Sequence, residues 1–321
     1  MLAVYADEID RDDPLRGLRI AERPEPEPPP GWTTVSVKAA SLNHHDLWSL
    51  RGVGLSPERL PMILGCDAAG IDEDGNEVIV HSVISDDSWR GDETFDPRRS
   101  LLSEQHPGSL AEKVAVPRRN LIAKPTELTF EQAACLPTAW LTAYRMLFTR
   151  ARVVPGMTVL VQGATGGVAT ALTVLASAAG VRVWVTGRSE DKRRAALELG
   201  AEQAFEAGAR LPERVDAVME TVGQASWAHS IRALKPGGTI VVSGATTGDA
   251  PPAELTRVFF LQLSVIGSTM GTRDELERLA RFCVEKDVRP RIDQTLPLSD
   301  ARRGFEAMLA GEIVGKIVFT V

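Results

Sequence analysis

The chain has 321 residues, more than one ordinary core accommodates, so two domains are expected. A hydrophobic share of 44% and a charged share of 25% fit a globular protein. A net charge of −7 argues against a nucleic-acid partner, which needs a basic face to neutralise phosphates, but leaves room for a small anionic cofactor at a local basic spot.

Met1 to Asp13 alternates apolar and acidic residues, so no signal peptide is expected there. Residues 21–31, rich in Pro and Glu, read as an extended loop, 32–41 as a strand, and 42–50 as a short helix ended by Gly52. From 63 to 84, short apolar runs broken by Gly, Asp and Asn suggest strands and turns. Residues 85–108 are polar around Trp89 and Phe95 and read as a long surface excursion. After Pro125 the texture changes. Val159–Gln162 reads as a short buried strand, followed by the turn Gly163-Ala164-Thr165-Gly166-Gly167-Val168 and an apolar helix over 168–179. A strand over 181–186 and a charged helix over 190–199 stopped by Gly200 come next. Strand 215–219, helix 225–234, a turn at 235–238, strand 239–243, helix 253–262 and strand 263–267 continue the alternation. Strands alternating with helices at this spacing specify a parallel, doubly wound α/β sheet. Two helices, 272–286 and 299–310, and a strand at 316–321 close the chain. No apolar run approaches the ~20 residues of a membrane span. The scattered Cys66, Cys135 and Cys283 form no disulfide framework and suit a reducing, cytoplasmic setting.

A glycine turn between strand and helix lets the backbone approach a pyrophosphate while the helix aims free N–H groups at its charge. Thr165, Gly166, Gly167 and Val168 are therefore candidate cofactor contacts, with a plain structural turn as the alternative. NAD sites usually carry an acid about 20 residues past the glycines, on the ribose hydroxyls. Here the second strand ends in Gly187-Arg188-Ser189, with Lys192 a turn later. A guanidinium fork and a hydroxyl suit a 2′-phosphate, so NADPH is expected over NADH. The competing reading makes Arg188 and Lys192 ordinary solvated charges beside Glu190 and Asp191. In doubly wound sheets ligands lie at the carboxyl ends of strands. Thr221, Ser243, Gly244, Ala245, Ser268, Thr269 and Met270 are placed there.

Several strings in order along nearly the whole chain resemble the medium-chain dehydrogenase/reductase superfamily, and within it the zinc-free quinone-oxidoreductase-like members. These are Ser41-Leu42-Asn43-His44-His45-Asp46, Leu64-Gly65-Cys66-Asp67-Ala68-Ala69-Gly70, Gly108-Ser109-Leu110-Ala111-Glu112, Glu220-Thr221-Val222-Gly223, Leu234-Lys235-Pro236-Gly237-Gly238 and Gly315-Lys316. The resemblance implies a Rossmann NADPH-binding domain, 126–269, inserted in a discontinuous, mainly β GroES-like catalytic domain, 1–125 and 270–321. It places Asn43, Cys66 and Thr138 where the alcohol-dehydrogenase branch holds catalytic zinc. One potential thiolate ligand among three does not make a zinc site, so no metal is expected. A site rebuilt from Cys66, Asp67 and a neighbouring histidine is the alternative. Without zinc, a carbonyl must be polarised by hydrogen-bond donors. Asn43 is the candidate donor, and His44 or His45 with Asp46 could relay a proton, unless Asp46 only braces the segment. Thr142 falls where relatives meet the nicotinamide carboxamide, with Thr138 nearby, and Lys316 matches a lysine of the cofactor cleft. The alternative is a helix, 136–146, that only packs.

The resulting expectation is hydride transfer from NADPH to a small hydrophobic quinone, enone, enal or carbonyl. Trp48, Leu50, Leu55, Met62, Phe259 and Met270 are the candidate pocket residues. A non-catalytic NADPH-binding redox sensor is the alternative. The apolar edge strand 263–267 needs a cover, and a homodimer is expected to supply it.

Overall fold

A computed structural model describes residues 1–321, and the chain divides into two compact units, Met1–Leu141 with Met270–Val321, and Thr142–Thr269. The first unit thus runs past Pro125. Helix Phe130–Ala134, capped by Thr129, packs on strands Trp32–Ser41 and Asp67–Asp72 and keeps this stretch with it.

Strand Trp32–Ser41 organises the first unit. Its alternating residues bury Val35 and Val37, and it pairs with Asp67–Asp72 on one side and Lys316–Thr320 on the other. The register sets Ser41 opposite both Asp67 and Val318. Three strand ends therefore meet, with Lys316 two residues before Val318. The core beneath holds Leu42, Leu47, Leu110, Phe305 and Phe319, each worth about 1.5–3 kcal/mol on burial. Leu50, Leu55 and Met62, expected in a substrate pocket, belong to this core instead; for Leu50 the reason is that the short helix His44–Leu50 turns its apolar face inward.

The stretch 85–108 also departs from expectation. Val83–Ile84 pairs with Ser100–Leu101, which folds the segment back so that Asp96, Leu102 and Ser103 are fully buried. Asp96 holds the return by accepting from the Asp86 and Arg98 amides.

In the second unit six strands, β1 (Thr158–Gln162), β2 (Arg182–Gly187), β3 (Gln203–Glu206), β4 (Val215–Glu220), β5 (Leu234–Val242) and β6 (Ser264–Gly267), lie in the order 3-2-1-4-5-6, all parallel. This is the doubly wound order, and its reversal between β1 and β4 is where such sheets take nucleotides. Helices α1 (Gly167–Ala178), α2 (Glu190–Glu198), α3 (Gln224–Ala233) and α4 (Leu255–Phe260) connect the strands. β1 is buried along its whole length, as a central parallel strand requires. β5 starts within the expected turn, and the ladder with β4 shifts register between Val215 and Ala217 to admit Lys235-Pro236-Gly237-Gly238. Phe259 and Phe260 are 63% and 73% exposed, so they neither line a pocket nor join the core. No helix is long and apolar enough to cross a membrane.

Candidate functional site

The second unit carries the dinucleotide face. Gly163 leaves β1 with φ +89, a conformation that favours glycine, and Gly166 caps α1. A Cβ built on Gly166 would meet nothing within 4 Å, so the space in front of the helix N-terminus is open. Backbone N–H groups of the first turn point there without helical partners. These features fit a pyrophosphate.

Behind the turn lies a connected polar network. The Gly163 amide donates to Thr186 Oγ1 (3.3 Å), and Thr186 donates to Gln162 Oε1 (2.7 Å). Gln162 Nε2 reaches His229 Nδ1 and Ser230 Oγ, both at 2.9 Å, and Ser230 donates to Glu220 Oε2 (2.6 Å). His229 Nε2 lies 2.8 Å from the Ala209 carbonyl, which only accepts, so Nε2 bears the proton and Nδ1 accepts from Gln162. Glu220 Oε1 gathers the Val222 and Gly223 amides at 2.8 and 3.0 Å. The ends of β1, β2 and β4 are thereby tied together. Gly223 is needed in this loop, since its φ is +89 and a Cβ would lie 2.5 Å from Gly248 O. At the end of β2, Arg188 is exposed and makes no ion pair, and Ser189 caps α2 by accepting from Lys192 N. Ser189's hydroxyl hydrogen remains available to an anion. Thr165 is buried, Val168 is half-buried in the first turn of α1, Thr221, Ser243, Gly244 and Ala245 are half-buried at the strand ends, and Thr269 is exposed. The Ser268 hydroxyl is buried without a partner.

In the first unit the meeting strand ends form a charged cluster. Lys316, 2% exposed, donates to Leu42 O (2.7 Å), Asn43 Oδ1 (2.6 Å) and Asp67 Oδ2 (3.3 Å). Its three N–H bonds are filled inside this unit, so it braces Asn43 and Asp67 rather than reaching for a cofactor. Asp67 Oδ2 also accepts from Ser41 (2.7 Å) and Asn43 Nδ2 (2.8 Å), while its Oδ1 is buried with no partner. Lys316 fixes the Asn43 amide orientation. One Asn43 N–H is committed to Asp67, and the other makes only a 3.4 Å contact with Ser41 O. That second N–H is the more weakly held of the two.

Asp46 is fully buried, and its two oxygens accept from the Asn43 and Gly65 amides at 2.8 and 2.9 Å. Burial raises its carboxyl, partly offset by His45. Turned wholly toward backbone, it braces the segment and is poorly placed to relay protons. His44, at the helix start, is exposed, and the packed protein around its ring, then Lys316 and Arg51, lowers its imidazole. His45 turns inward. Its Nε2 lies 2.8 Å from Glu104 Oε1 and its Nδ1 3.3 Å from Cys66 Sγ. Sequence reasoning missed Glu104 and Ser103, which sit in the stretch read as surface. Met270 stands half-buried at the unit boundary with φ +46.

Thr138 lies in the π-helical turn Leu136–Trp140, its hydroxyl buried without a partner. Pro137 cannot donate an amide, which favours the wider turn, a form frequent at functional sites. Thr142, 6% exposed, follows in Leu141–Tyr144.

Two family models match, the alcohol dehydrogenase GroES-like domain over residues 29–126 and the zinc-binding dehydrogenase over 167–285. A zinc-type alcohol dehydrogenase-like protein of Schizosaccharomyces pombe is 30% identical, with 91% of each chain covered. The chain belongs to the medium-chain dehydrogenase/reductase superfamily. It is an enzyme, an oxidoreductase. An acryloyl-coenzyme A reductase of Metallosphaera sedula is 27% identical over 95% of this chain and 97% of its own. The crystal structure of an NAD-dependent alcohol dehydrogenase superposes with a TM-score of 0.91 at 34% identity, each chain fully covered. The residues do not fit the zinc that the superfamily implies. No group of three or more His, Cys, Asp or Glu side chains is placed to hold a metal ion. Asn43, Cys66 and Thr138, which the resemblance places at the ligand positions, offer an amide, one thiol and a hydroxyl, and the amide nitrogen of Asn43 already donates to Asp67.

Proposed function

We propose that this superfamily member transfers a hydride from NADPH to a small conjugated acceptor, an enone, enal or enoyl thioester, without catalytic zinc. The carrying observation is the exposed, unpaired Arg188 at the end of β2, with no acid there to favour NADH. The open space before Gly166 supports nucleotide binding on the same face. Bound NADPH supplies the hydride. The chain's own residues orient and polarise: the Gly163–Val168 turn seats the pyrophosphate, and Arg188 with Ser189 holds the 2′-phosphate. The spare Asn43 N–H, held in place by Lys316 and Asp67, donates to the acceptor's carbonyl oxygen. Neutral His44, exposed beside it in sequence, can exchange the proton that completes reduction.

Conjugated acceptors are preferred because the reductase relatives are named for acryloyl-coenzyme A and crotonyl-coenzyme A, both α,β-unsaturated thioesters. Quinones and simple carbonyls are the next candidates. Three free, buried cysteines agree with a reducing cytoplasm. A homodimer is proposed through β6, where Val265 stays 49% exposed, with Leu255, Phe259 and Phe260 of the preceding helix also exposed, apolar surface that a second copy would cover.

The test is NADPH oxidation against a panel of enones, enals, enoyl-coenzyme A esters, quinones and aldehydes, with metal content measured on the same preparation. Turnover on a conjugated acceptor at far below one zinc per chain is expected. Tight NADPH binding without turnover of any acceptor would point instead to a non-catalytic nucleotide-binding protein.

A further inference from the structure

Apart from the hydride-transfer residues, the first unit contains a second chemical arrangement. Cys66 Sγ lies 3.3 Å from His45 Nδ1, and His45 Nε2 lies 2.8 Å from Glu104 Oε1. The carboxylate only accepts, so it fixes the proton of the neutral imidazole on Nε2 and turns the Nδ1 lone pair toward the thiol. Nucleophile, base and orienting acid thus stand in one line, the relation by which an imidazole activates a thiol.

The surroundings favour more than packing. Ser103, fully buried, is held at φ +64, a strained conformation for a residue other than glycine, and its hydroxyl sits 3.4 Å from Nδ1 and 3.6 Å from Sγ. At rest the thiol has a second acceptor, Leu102 O at 3.3 Å. Cys66 itself is buried, but its cover is thin: the side chains of His45 and Glu104 are 21% and 26% exposed. Glu104 in turn lies against Gly54, where a Cβ would sit 2.4 Å from Oε1. Gly54 belongs to a surface hollow that also includes Arg51, Gly52, Leu55 and Ser56. The hollow thus adjoins Glu104, the outer member of the line that leads through His45 to the sulfur.

Protonation agrees with this geometry. Burial pushes the Cys66 thiol up, and His45 pulls it back. Burial alone would lower His45, but Cys66 and then Glu104 raise it well above its usual value. The sulfur exerts that pull only when ionised. An imidazolium on His45 and a thiolate on Cys66 therefore stabilise each other.

We infer that Cys66, with His45 as base and Glu104 as its orienting acid, is a nucleophilic site that captures small α,β-unsaturated aldehydes. The Sγ electron pair bonds the β-carbon, and the π pair shifts to the α-carbon. The thiol proton passes to His45 Nδ1 and then to the α-carbon, so the adduct is complete without oxidant or reductant. The inference does not depend on hydride transfer, and its test needs no NADPH.

The experiment incubates the purified full chain with crotonaldehyde and follows each cysteine by peptide mass mapping. Cys135 and Cys283 are internal controls: both are buried, burial pushes both thiols up to about 12, and the Cys135 thiol donates to Glu131 O without an imidazole contact. Cys66 is expected to react at least about tenfold faster than either, and His45→Gln to slow it by about tenfold or more. Glu104→Gln, at a partly exposed carboxylate, is expected to slow it less, and it decides the matter alone if His45→Gln does not fold. Equal reactivity of the three cysteines, or an unchanged Cys66 rate in a folded variant, overturns the inference. Loss of crotonaldehyde capture with NADPH oxidation intact would sink this site and leave the proposed reaction standing.

Discussion

The two units solve the same problem differently. Each holds its active segment over buried polar groups, but the first unit does so with charges and the second mainly with neutral hydrogen bonds. Lys316 and Asp67 are 2% and 0% exposed, and one Asp67 oxygen has no partner. Around Gln162, by contrast, each amide and imidazole position has an assigned role, and the one carboxylate, Glu220, is met by hydroxyls and backbone amides. A buried ion pair gains little net stability but becomes very costly when halved, whereas a satisfied neutral network loses about one bond at a time. The first unit is therefore tuned to hold Asn43 rigid and polarised at some cost in stability. The second holds the glycine turn with little stored strain.

The largest expected effect breaks the charged side of this contrast. Lys316→Met should destabilise the fold by roughly 3–5 kcal/mol in urea unfolding, because it leaves the Asp67 carboxylate buried and unpaired. Adding Asp67→Leu should recover much of the loss. A cost below about 1 kcal/mol for Lys316→Met would mean that the pair is solvated in solution.

Next comes a buried histidine of the first unit. His81 Nε2 lies 2.8 Å from Gly271 O, and burial, helped by Arg273, lowers its pKa to about 4. Because the folded pKa lies below the unfolded one, the unfolded chain takes the proton first. Stability should then fall as pH drops from about 6.5 to about 4, by roughly 3 kcal/mol, and level off below. His81→Gln should flatten that window in unfolding curves at stepped pH. An unchanged acid slope would assign it to other groups.

Gln162→Leu tests the neutral network and should cost roughly 2 kcal/mol, by stranding Thr186, Ser230 and His229 Nδ1. It should also weaken NADPH binding, since Thr186 accepts from the Gly163 amide. Reduced stability with unaltered cofactor affinity would detach the network from the turn.

How much of this was legible in the sequence follows from the same contrast. The second unit's central strands announce themselves as apolar runs, because parallel strands are covered on both faces. β3 was missed because Gln203–Glu206 is a half-exposed edge strand with no such run. The glycine turn and Arg188 are local features and could be read locally. The first unit's cluster is assembled by register: Ser41, Asp67 and Lys316 are distant in sequence and meet only through strand pairing. A sequence can propose Lys316 as functional, but not that its ammonium turns inward to Asn43. Ser103 and Glu104 were hidden by the polar residues around them. The signal that could have found them is the apolar pair Leu101-Leu102 just before, which marks a return to the core.

The smallest expected effect concerns the two arginines of β2. Arg182, at its start, is engaged by Glu202 (2.9 Å) and Glu213 (3.0 Å), while Arg188, just past its end, is exposed and unpaired. An exposed cation adds little to fold stability, so Arg188→Ala should leave unfolding curves unmoved. Its effect should appear only with a 2′-phosphate present: NADPH binding weaker by about tenfold, about 1.4 kcal/mol, with NADH unchanged. Titrations of both cofactors at two ionic strengths check this, because added salt should erode the wild-type preference for NADPH and leave the variant nearly flat. Arg182→Ala serves as the control and should shift neither cofactor. If Arg188→Ala weakens both equally, the guanidinium shapes the turn and does not read the phosphate. The cofactor preference would then have to come from Ser189 and Lys192.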